Sequence, residues 1–275
     1  MNKEVGKARP FLRWAGSKQK LVTTLSSYWS PKYERYLEPF MGSAQLFFNL
    51  PVTSAILSDS NLQLVELFNQ IKKNPYLVYK ILEKWPVNSE NYYEIRKIDP
   101  AKLGINQRAA RFLYLNRLCF NGLYRTNLKG EFNVPFSGEV PRQICDYDNL
   151  KKVSEKLKCA EIISGDFESV IRNSVKKGDF VYLDPPYAVA NKRIFNQYGP
   201  QTFGLNDLDR TSDLLAFIDS RRAKFVMSYA NSSEVLQKFS KWNIKNTTTQ
   251  RNIAGFAKYR RIDKELMITN IEVSR

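Results

Sequence analysis

The tetrapeptide Asp184-Pro185-Pro186-Tyr187 carries groups that can hold an amino-bearing base. It follows the apolar run 179–183, which is typical of a buried strand. Two successive prolines fix two φ angles and remove two N–H donors, so the turn is stiff. A carboxylate and a prolyl carbonyl can accept the two hydrogens of an exocyclic amine, and a tyrosine ring can stack on the base. Taken alone, a strand that ends in an Asp-Pro turn is more often structural, so the rest of the chain must supply the context.

The chain contains no histidine, which removes Ser-His-Asp and Cys-His catalysis and imidazole metal sites. Its three cysteines, Cys119, Cys145 and Cys159, are odd in number and lack the spacing of metal ligands, so reduced thiols fit best. We therefore predict that no metal is bound. Carboxylates, lysines, tyrosines and backbone groups are left to perform any chemistry.

The amino-acid composition favours a polyanionic partner. Lysine and arginine outnumber aspartate and glutamate by 43 to 27, giving a formal net charge of +16. This balance exceeds what solubility needs, so nucleic acid is the first candidate and a generically basic protein the alternative. The first ten residues lack an apolar core of signal-peptide length, and no stretch approaches a membrane span of about 20 residues. We therefore expect a cytoplasmic protein with no membrane partner.

Four further turns follow apolar runs and carry polar or aromatic side chains. They contain Gly16-Ser17-Lys18, Glu38-Pro39-Phe40-Met41-Gly42, Ser58-Asp59 and Gly165-Asp166-Phe167. The first turn resembles an anion-binding helix start without Walker A spacing, and the second has one glycine where a dinucleotide fingerprint needs three. The Ser58-Asp59 turn lies near the place where α/β nucleoside sites bind ribose hydroxyls. Each turn alone is more often structural than functional.

The alternation of strand-like and helical runs after residue 160 predicts a parallel sheet, because a strand, helix, strand order returns each strand in the same direction. Ligands of such a sheet bind beyond the carboxyl ends of the strands, where the five turns lie. We therefore predict an α/β fold with a mostly parallel, Rossmann-like sheet. Residues 188–206 contain Gly and Pro without periodicity, which predicts a long loop over the site.

A mostly helical and polar segment interrupts this pattern at residues 61–154. We predict that it is an inserted domain and that residues 1–60 and 155–275 form the sheet domain. Within the insert, residues 116–136 alternate aromatic, cationic and amide side chains between two glycine turns, which predicts a β-hairpin. Arginine can read guanine, asparagine can read adenine, and an apolar wedge can part a base step. The alternative is an exposed aromatic hairpin that caps the core.

These motifs, which span nearly the whole chain, resemble those of the Dam-type DNA adenine-N6 methyltransferases and occur in the same order. The resemblance implies a methyltransferase sheet and S-adenosyl-L-methionine as methyl donor. It implies a catalytic role for Asp184, Pro185, Pro186 and Tyr187. The residues expected to bind the cofactor are Trp14, Lys18, Glu38, Phe40, Gly42, Asp59, Asp166, Phe167 and Asp184.

The resemblance also implies double-stranded DNA as the partner and target recognition as the role of the insert. The residues expected to bind DNA are Arg13, Asn116, Arg117, Phe120, Asn121, Leu123, Arg125, Asn133 and Pro135. Members of the family commonly modify GATC, while the hairpin also resembles relatives that read longer sites containing GAT. We further expect a monomer in solution. In a prokaryotic host, the protein would associate with the nucleoid or be encoded by a phage or plasmid. A cognate restriction enzyme is a candidate partner.

The implied reaction is a direct transfer to the adenine N6 amine, whose lone pair is delocalised into the purine. Hydrogen bonds to Asp184 and the Pro185 carbonyl would localise that lone pair, after the base has left the duplex. Two alternatives remain at this stage. A DNA-binding module without enzymatic activity needs only the charge and the hairpin. A methyltransferase of RNA or protein amines could use the same Asp-Pro-Pro-Tyr turn.

Overall fold

The computed structural model describes residues 7–187, 203–251 and 261–272. The strands are β1 Tyr36–Glu38, β2 Ala55–Asp59, β3 Ala160–Ser164, β4 Phe180–Leu183, β5 Lys224–Ala230, β6 Asn243–Arg251 and β7 Arg261–Thr269. The helices are α1 Val22–Ser26, α2 Leu62–Lys73, α3 Pro75–Glu83, α4 Ser89–Lys97, α5 Ile105–Leu118, α6 Tyr147–Leu157, α7 Phe167–Ser174, α8 Leu205–Ser220 and α9 Ser233–Lys238. The predicted loop at 188–206 falls largely outside the described residues.

The strands form one seven-stranded sheet in the order β3-β2-β1-β4-β5-β7-β6. Strands β1 to β5 run parallel, whereas β7 runs antiparallel to both β5 and β6. The prediction of a mostly parallel α/β sheet is therefore confirmed. The strand order reverses between β1 and β4, and such a reversal opens a crevice beyond the carboxyl ends of the strands.

The central strands are buried on both faces. Every residue of β1 and β4 is buried, which explains why residues 36–37 of β1 and the whole of β4 are continuous apolar runs rather than alternating ones. One face of the sheet packs against the helices of the insert, α2 among them, and the other face packs against α7, α8 and α9. The sheet is thus a rigid central layer that fixes the position of every turn at its carboxyl edge.

The segment 44–49, which follows Gly42, does not form an α-helix. Ala44 has a φ of 51°, a left-handed conformation that interrupts a right-handed helix. Only the single 3-10 turn Phe47–Asn49 forms in this region. The chain therefore crosses from β1 to β2 through a compact turn instead of a helix.

The insert is not separated from the sheet by a linker. Helix α2, inside the predicted range 61–154, and helix α6, which extends past its end, pack directly against β3. The predicted boundary at 154 falls within α6. Buried side chains of both parts belong to one hydrophobic cluster. Assignment of the insert to a separate recognition function stays a prediction, but its core is continuous with that of the sheet.

The predicted hairpin is an irregular antiparallel loop. Two isolated bridges join its arms, between Cys119 and Phe136 and between Thr126 and Phe132. The first residues of the predicted range, 116–118, belong to α5. The loop therefore projects directly from the end of a buried helix. Across the parts of the chain described above, no helix has the length and apolar character required to cross a membrane.

Candidate active site

A cavity of about 1910 Å³ opens at the carboxyl edge of the parallel strands. It is lined by every residue expected to bind the cofactor and by all four residues of the Asp-Pro-Pro-Tyr turn. These residues come from five turns spread over more than 170 positions of the chain, so the sheet topology has brought them together. Within the described ranges, no cluster of three or more His, Cys, Asp or Glu has the arrangement of a metal site.

The Asp184 carboxylate is held by two donors on the same oxygen. Lys18 Nζ lies 3.0 Å from Oδ1, and the Ser228 hydroxyl donates to Oδ1 at 2.9 Å. Ser228 is fully buried on β5, and its hydroxyl lies 3.1 Å from that of Tyr182. Burial raises the pKa of Asp184, while Lys18 and Ser228 act in the opposite direction. The orientation of the Asp184 carboxylate is therefore set by Ser228 of β5 and by Lys18, which lies ahead of the first helix.

Lys18 is a buried cation at the centre of this site, with 8% of its surface exposed. Burial alone would lower the pKa of Lys18, but Asp184, Tyr187 and Glu265 raise it above its ordinary value. Its Nζ lies 3.5 Å from the Tyr187 hydroxyl and 3.8 Å from Glu265 Oε1. Lys18 is therefore charged and joins the first turn of the chain to the Asp-Pro-Pro-Tyr turn.

Asp59 lies at the end of β2 and is held by backbone N–H groups. Gly42 N–H donates to Oδ2 at 3.2 Å, and Asn61 N–H donates to Oδ1 at 2.9 Å. Burial raises the pKa of Asp59 to about 6, although these N–H groups oppose the shift. Gly42 has a φ of +45°, and a Cβ at this position would lie 2.7 Å from Trp14 Cδ1. Only glycine therefore fits between Asp59 and the Trp14 ring.

Glu38, at the end of β1, is a buried carboxylate facing the same cavity. The Tyr36 hydroxyl donates to its Oε2 at 2.9 Å. Burial raises the pKa of Glu38 well above its ordinary value, and the nearby Asp184 and Asp59 act in the same direction. A cationic group bound at this end of the cavity would favour the ionised form of Glu38.

Another part of the cavity lining is aromatic. The rings of Phe40 and Phe167 lie 5.0 Å apart, and Phe203 packs against both. Asp166 caps α7 by accepting from the Glu168 and Ser169 N–H groups. Arg210 Nη2 donates to the same Asp166 oxygen at 2.6 Å. The Asp166 carboxylate is thus already engaged by the protein on one oxygen.

The residues expected to bind DNA divide into two groups. Arg13, Arg117, Asn121 and Leu123 line the cavity at the face nearest the insert. The others lie along the hairpin or in the adjoining helix: Asn116, Phe120, Arg125, Asn133 and Pro135. Phe120 is 45% exposed at the hairpin base, and its N–H donates to the Pro135 carbonyl at 2.9 Å. These two side chains are therefore presented together on the surface.

Asn116 differs from this expectation, because its side chain is buried. Its amide oxygen accepts from the Arg13 N–H at 3.0 Å, and its amide nitrogen donates to the Arg13 carbonyl at 2.6 Å. Both ends of the amide are therefore bonded to the backbone of Arg13. Sequence reasoning places Asn116 in contact with DNA, whereas its geometry gives it the role of holding the N-terminal segment against α5.

Arg125 is oriented by its neighbour across the hairpin. Its Nε donates to Asn133 Oδ1 at 2.8 Å, and Nη2 lies 3.3 Å from the Asn133 carbonyl. Such a paired guanidinium loses less conformational freedom on binding than a free one. Arg117 instead donates from Nε to the Ile144 carbonyl at 3.0 Å, and burial lowers its pKa. Arg125 is thus the hairpin arginine whose guanidinium is aligned by a side chain of the opposite arm.

The family of the chain is shown by its sequence. The profile of the D12 class N6 adenine-specific DNA methyltransferases matches residues 14–253. The chain belongs to this family. This confirms the Dam-type resemblance and sets aside a non-enzymatic module and an RNA or protein methyltransferase. The methyltransferase acts on double-stranded DNA with S-adenosylmethionine as methyl donor.

Three curated relatives are similar to this methyltransferase over most of their length. The Type II methyltransferase M1.LlaDCHI of Lactococcus lactis subsp. cremoris is 32% identical over 271 residues, which cover 95% of each chain. The Type II methyltransferase M.MjaIII of Methanocaldococcus jannaschii is 32% identical over 89% of this chain and 92% of its own. A DNA adenine methylase of Haemophilus influenzae is 31% identical over 95% of this chain and 93% of its own.

The cavity fits S-adenosylmethionine. A ribose needs hydroxyl acceptors, and Asp59 presents a carboxylate that backbone N–H groups hold in place. A purine needs flat apolar surfaces, which Phe40 and Phe167 provide. The ammonium group of the methionine part needs a carboxylate, and Glu38 is a buried carboxylate in the lining of the cavity. Gly42 also lines the cavity, where a side chain at this position would collide with the Trp14 ring.

Sequence reasoning missed three residues of the site. Ser228 and Glu265 contact the Asp-Pro-Pro-Tyr turn, and Arg210 contacts Asp166 and the Phe167 ring. Ser228 gives no local signal, because a serine within an apolar strand is common. Glu265 is a carboxylate directly before the apolar run 266–268, which is the one signal that could have drawn attention to it. Arg210 lies in an ordinary amphipathic helix, where charged residues are expected.

Proposed function

We propose that this methyltransferase modifies the N6 amine of an adenine that leaves the duplex and enters the Asp184-Pro185-Pro186-Tyr187 pocket. The observation that carries the proposal is the pairing of Lys18 and Ser228 with a single oxygen, Oδ1, of Asp184. Because both donors approach Oδ1, we assign Oδ2 to the target amine. The Pro185 carbonyl supplies the second acceptor. The two prolines of the turn have no N–H, so their backbone offers only acceptors to the base.

The pocket acts on the amine by orienting it. When bound, S-adenosylmethionine supplies an electrophilic methyl group on a sulfonium sulfur. Asp184 and Pro185 accept the two N6 hydrogens, which draws the nitrogen lone pair out of the purine ring and towards the cofactor end of the cavity. Tyr187 stacks on the extruded base and offsets part of the few kcal/mol that unpairing costs. No covalent bond between enzyme and base is required.

Replacement of Asp184 tests the catalytic assignment. We expect Asp184→Asn to lower kcat by about two to three orders of magnitude, because an amide keeps the shape but presents a weaker acceptor. Ser228→Ala should cause a smaller loss, since it removes one donor and leaves the carboxylate. Transfer of a labelled methyl group to duplex DNA measures kcat, and fluorescence anisotropy checks that DNA affinity is retained. Turnover of Asp184→Asn equal to that of the unaltered enzyme would refute the assignment.

We further propose that the recognised site is GATC or a longer sequence containing GAT, read by the hairpin. The support is that the guanidinium of Arg125 is aligned by Asn133 in the same hairpin that exposes Phe120 and Pro135. An arginine can bond both O6 and N7 of guanine in the major groove. Leu123 at the cavity rim is assigned to the same base-reading surface. A cognate restriction enzyme stays a prediction.

A panel of duplexes that differ from the cognate site by one base tests the reading role of Arg125. We expect Arg125→Ala to reduce discrimination by about one to two orders of magnitude, with nonspecific binding much less affected. Arg142→Ala is the matched control, because Arg142 is an exposed arginine of the same insert outside the hairpin. A phosphate contact would instead weaken every sequence alike and lower the salt slope by about one unit. Uniform weakening across the panel therefore counts against base reading.

A further inference from the structure

Glu265 reaches the active site from the antiparallel strand of the sheet. It pairs with Ala230 in the register of β5 and β7. Glu265 is the first residue of β7 that pairs with β5. Because β7 runs opposite to β5, this residue lies at the carboxyl end of β5, which is the edge where the cavity opens. Glu265 is 2% exposed and lines that cavity. The antiparallel strand β7 therefore contributes the buried carboxylate of Glu265 to the cavity.

The Glu265 carboxylate contacts two groups of the site described above. The Tyr187 hydroxyl donates to Oε1 at 3.2 Å. Lys18 Nζ lies 3.8 Å from the same oxygen and 3.0 Å from Asp184. Tyr187 also packs its ring against Tyr229 of β5 at 5.3 Å, with the planes inclined by 67°. The aromatic ring of the turn is thus fixed at its hydroxyl by β7 and along its edge by β5.

The turn needs such an external anchor. Pro185 and Pro186 restrict the backbone, but they leave the side-chain torsions of Tyr187 free. A ring that stacks on a base must lie in one plane, and a rotation would place its edge where the base should be. A hydrogen bond to a buried carboxylate is stronger than one to water or to a neutral group. Because the hydroxyl oxygen lies on the rotation axis of the ring, its bond to Glu265 fixes where that axis points, while the contact with Tyr229 restricts rotation of the plane about it.

We propose that Glu265 is a positioning residue that holds the axis of the Tyr187 ring in the place where the extruded adenine stacks on the ring. The inference rests on the proposed function, because it assumes that Tyr187 receives the target base. It assigns to β7 an indirect part in adenine binding. The action passes through the Tyr187 hydroxyl, so loss of either partner should have the same consequence.

A double-mutant cycle tests this action. The variants are Glu265→Ala, which removes the acceptor, Tyr187→Phe, which removes the hydroxyl and keeps the ring, and the combination of both. We expect each single variant to lower kcat by about 10-fold and the double variant to be no slower than either one, since coupled partners are not additive. Glu265→Gln retains an acceptor oxygen and should recover most of the loss. The KM for S-adenosylmethionine should change by less than about 2-fold, because the contact lies on the base side.

Base orientation is measured directly with 2-aminopurine at the target position of the duplex. Stacking on an ordered Tyr187 ring should quench its fluorescence in the bound complex, and the quenching should fall to the same extent in Glu265→Ala and Tyr187→Phe. Thr269→Val is the control on the same strand, because Thr269 is buried and donates to the Phe225 carbonyl far from the cavity. It should lower thermal stability without changing kcat or the fluorescence.

The outcomes separate this inference from the proposed function. Additive losses in the double variant, or a Glu265→Gln variant as slow as Glu265→Ala, overturn the positioning role of Glu265. Full turnover by Asp184→Asn overturns the proposed pocket itself, whatever the coupling between Glu265 and Tyr187. If Glu265→Ala unfolds, circular dichroism reports it, and Tyr187→Phe then carries the test: loss of turnover and of 2-aminopurine quenching in that variant supports the inference, and retention of both opposes it.

Discussion

Titration of Asp59 should control cofactor affinity. Its pKa is raised to about 6 by burial, and a ribose hydroxyl bonds best to the ionised form. We therefore expect S-adenosylmethionine to bind more tightly as the pH rises through about 6 and to reach constant affinity above it. Titration calorimetry across this range measures the step. Asp59→Asn should bind weakly and without the step, and an unchanged step in that variant would exclude Asp59 as its origin.

The same shift has an opposite consequence for the cofactor-free protein. Folded Asp59 holds its proton to higher pH than the unfolded chain, whose carboxyl has the ordinary value of 3.8. The contribution of Asp59 to the free energy of unfolding is therefore largest below 3.8 and falls as the pH rises to about 6. Binding of the cofactor should remove this cost. Burial of Asp59 thus lowers stability in exchange for a carboxylate poised to accept a hydrogen bond.

Arg210 should act on cofactor binding through the residues that it holds. Its guanidinium donates to Asp166, Glu168 and Asp207 at 2.6 to 2.9 Å and lies 4.7 Å from the centre of the Phe167 ring. We expect Arg210→Gln to raise the KM for S-adenosylmethionine by about 10-fold with little change in kcat, because the lost contacts support the bound cofactor equally in the ground state and the transition state.

Arg172→Gln provides the comparison for Arg210. Arg172 also bonds Glu168, at 2.8 Å, and packs over an aromatic ring, that of Phe217. It does not line the cavity. Steady-state kinetics with varied cofactor should therefore leave its KM unchanged. Equal effects of the two substitutions would indicate that Arg210 contributes only general stability to α7 and α8.

The contact between the hairpin and the N-terminal segment depends on Gly122. Its φ is +62°, and a Cβ would lie 2.3 Å from Arg13 Cβ and 3.3 Å from the Arg13 backbone. We expect Gly122→Ala to push the hairpin away from Arg13 and to weaken DNA binding, while cofactor affinity is retained. Fluorescence anisotropy with duplex DNA and calorimetry with S-adenosylmethionine measure the two affinities separately.

Gly138→Ala isolates the effect of backbone conformation from that of the contact. Gly138 has a φ of +83°, but nothing lies within 4 Å of the Cβ that would be added. This substitution should cost only the left-handed strain of about 1 to 2 kcal/mol and leave DNA affinity unchanged. If both glycine variants lose DNA binding equally, the strain alone is responsible and the Arg13 contact is not.

The continuous core predicts that the insert and the sheet unfold together. Trp14 stacks on Phe112 and Tyr124 of the insert at 6.3 and 5.9 Å, and the buried cluster extends from β1 and β2 through α2 to α5. Neither part could keep its apolar surface covered after the other had opened. We therefore expect a single calorimetric transition, with coincident changes in tryptophan fluorescence and circular dichroism. Two resolved transitions would show that the insert folds independently.

Local features of the sequence were sufficient for the fold class and most of the cavity. The apolar runs 36–37, 55–57 and 180–183 are too short and too continuous for anything but buried parallel strands. Each run ends in a polar turn, and parallel strands place such turns at one edge by topology alone. The positions of Asp59 and Asp184 in one cavity therefore follow from local pattern and a general rule of sheet geometry.

Only the tertiary structure decided which side chains support those turns. Glu265 enters from a strand of reversed direction, so the rule for parallel strands does not find it. Ser228 acts through the neighbouring strand, and Asn116 turns inward to bond the Arg13 backbone across 103 residues. Hydrogen-bond partners far apart in the chain depend on register, strand direction and side-chain orientation. These are properties of the assembled sheet and its packed helices, and no local run of residues determines them.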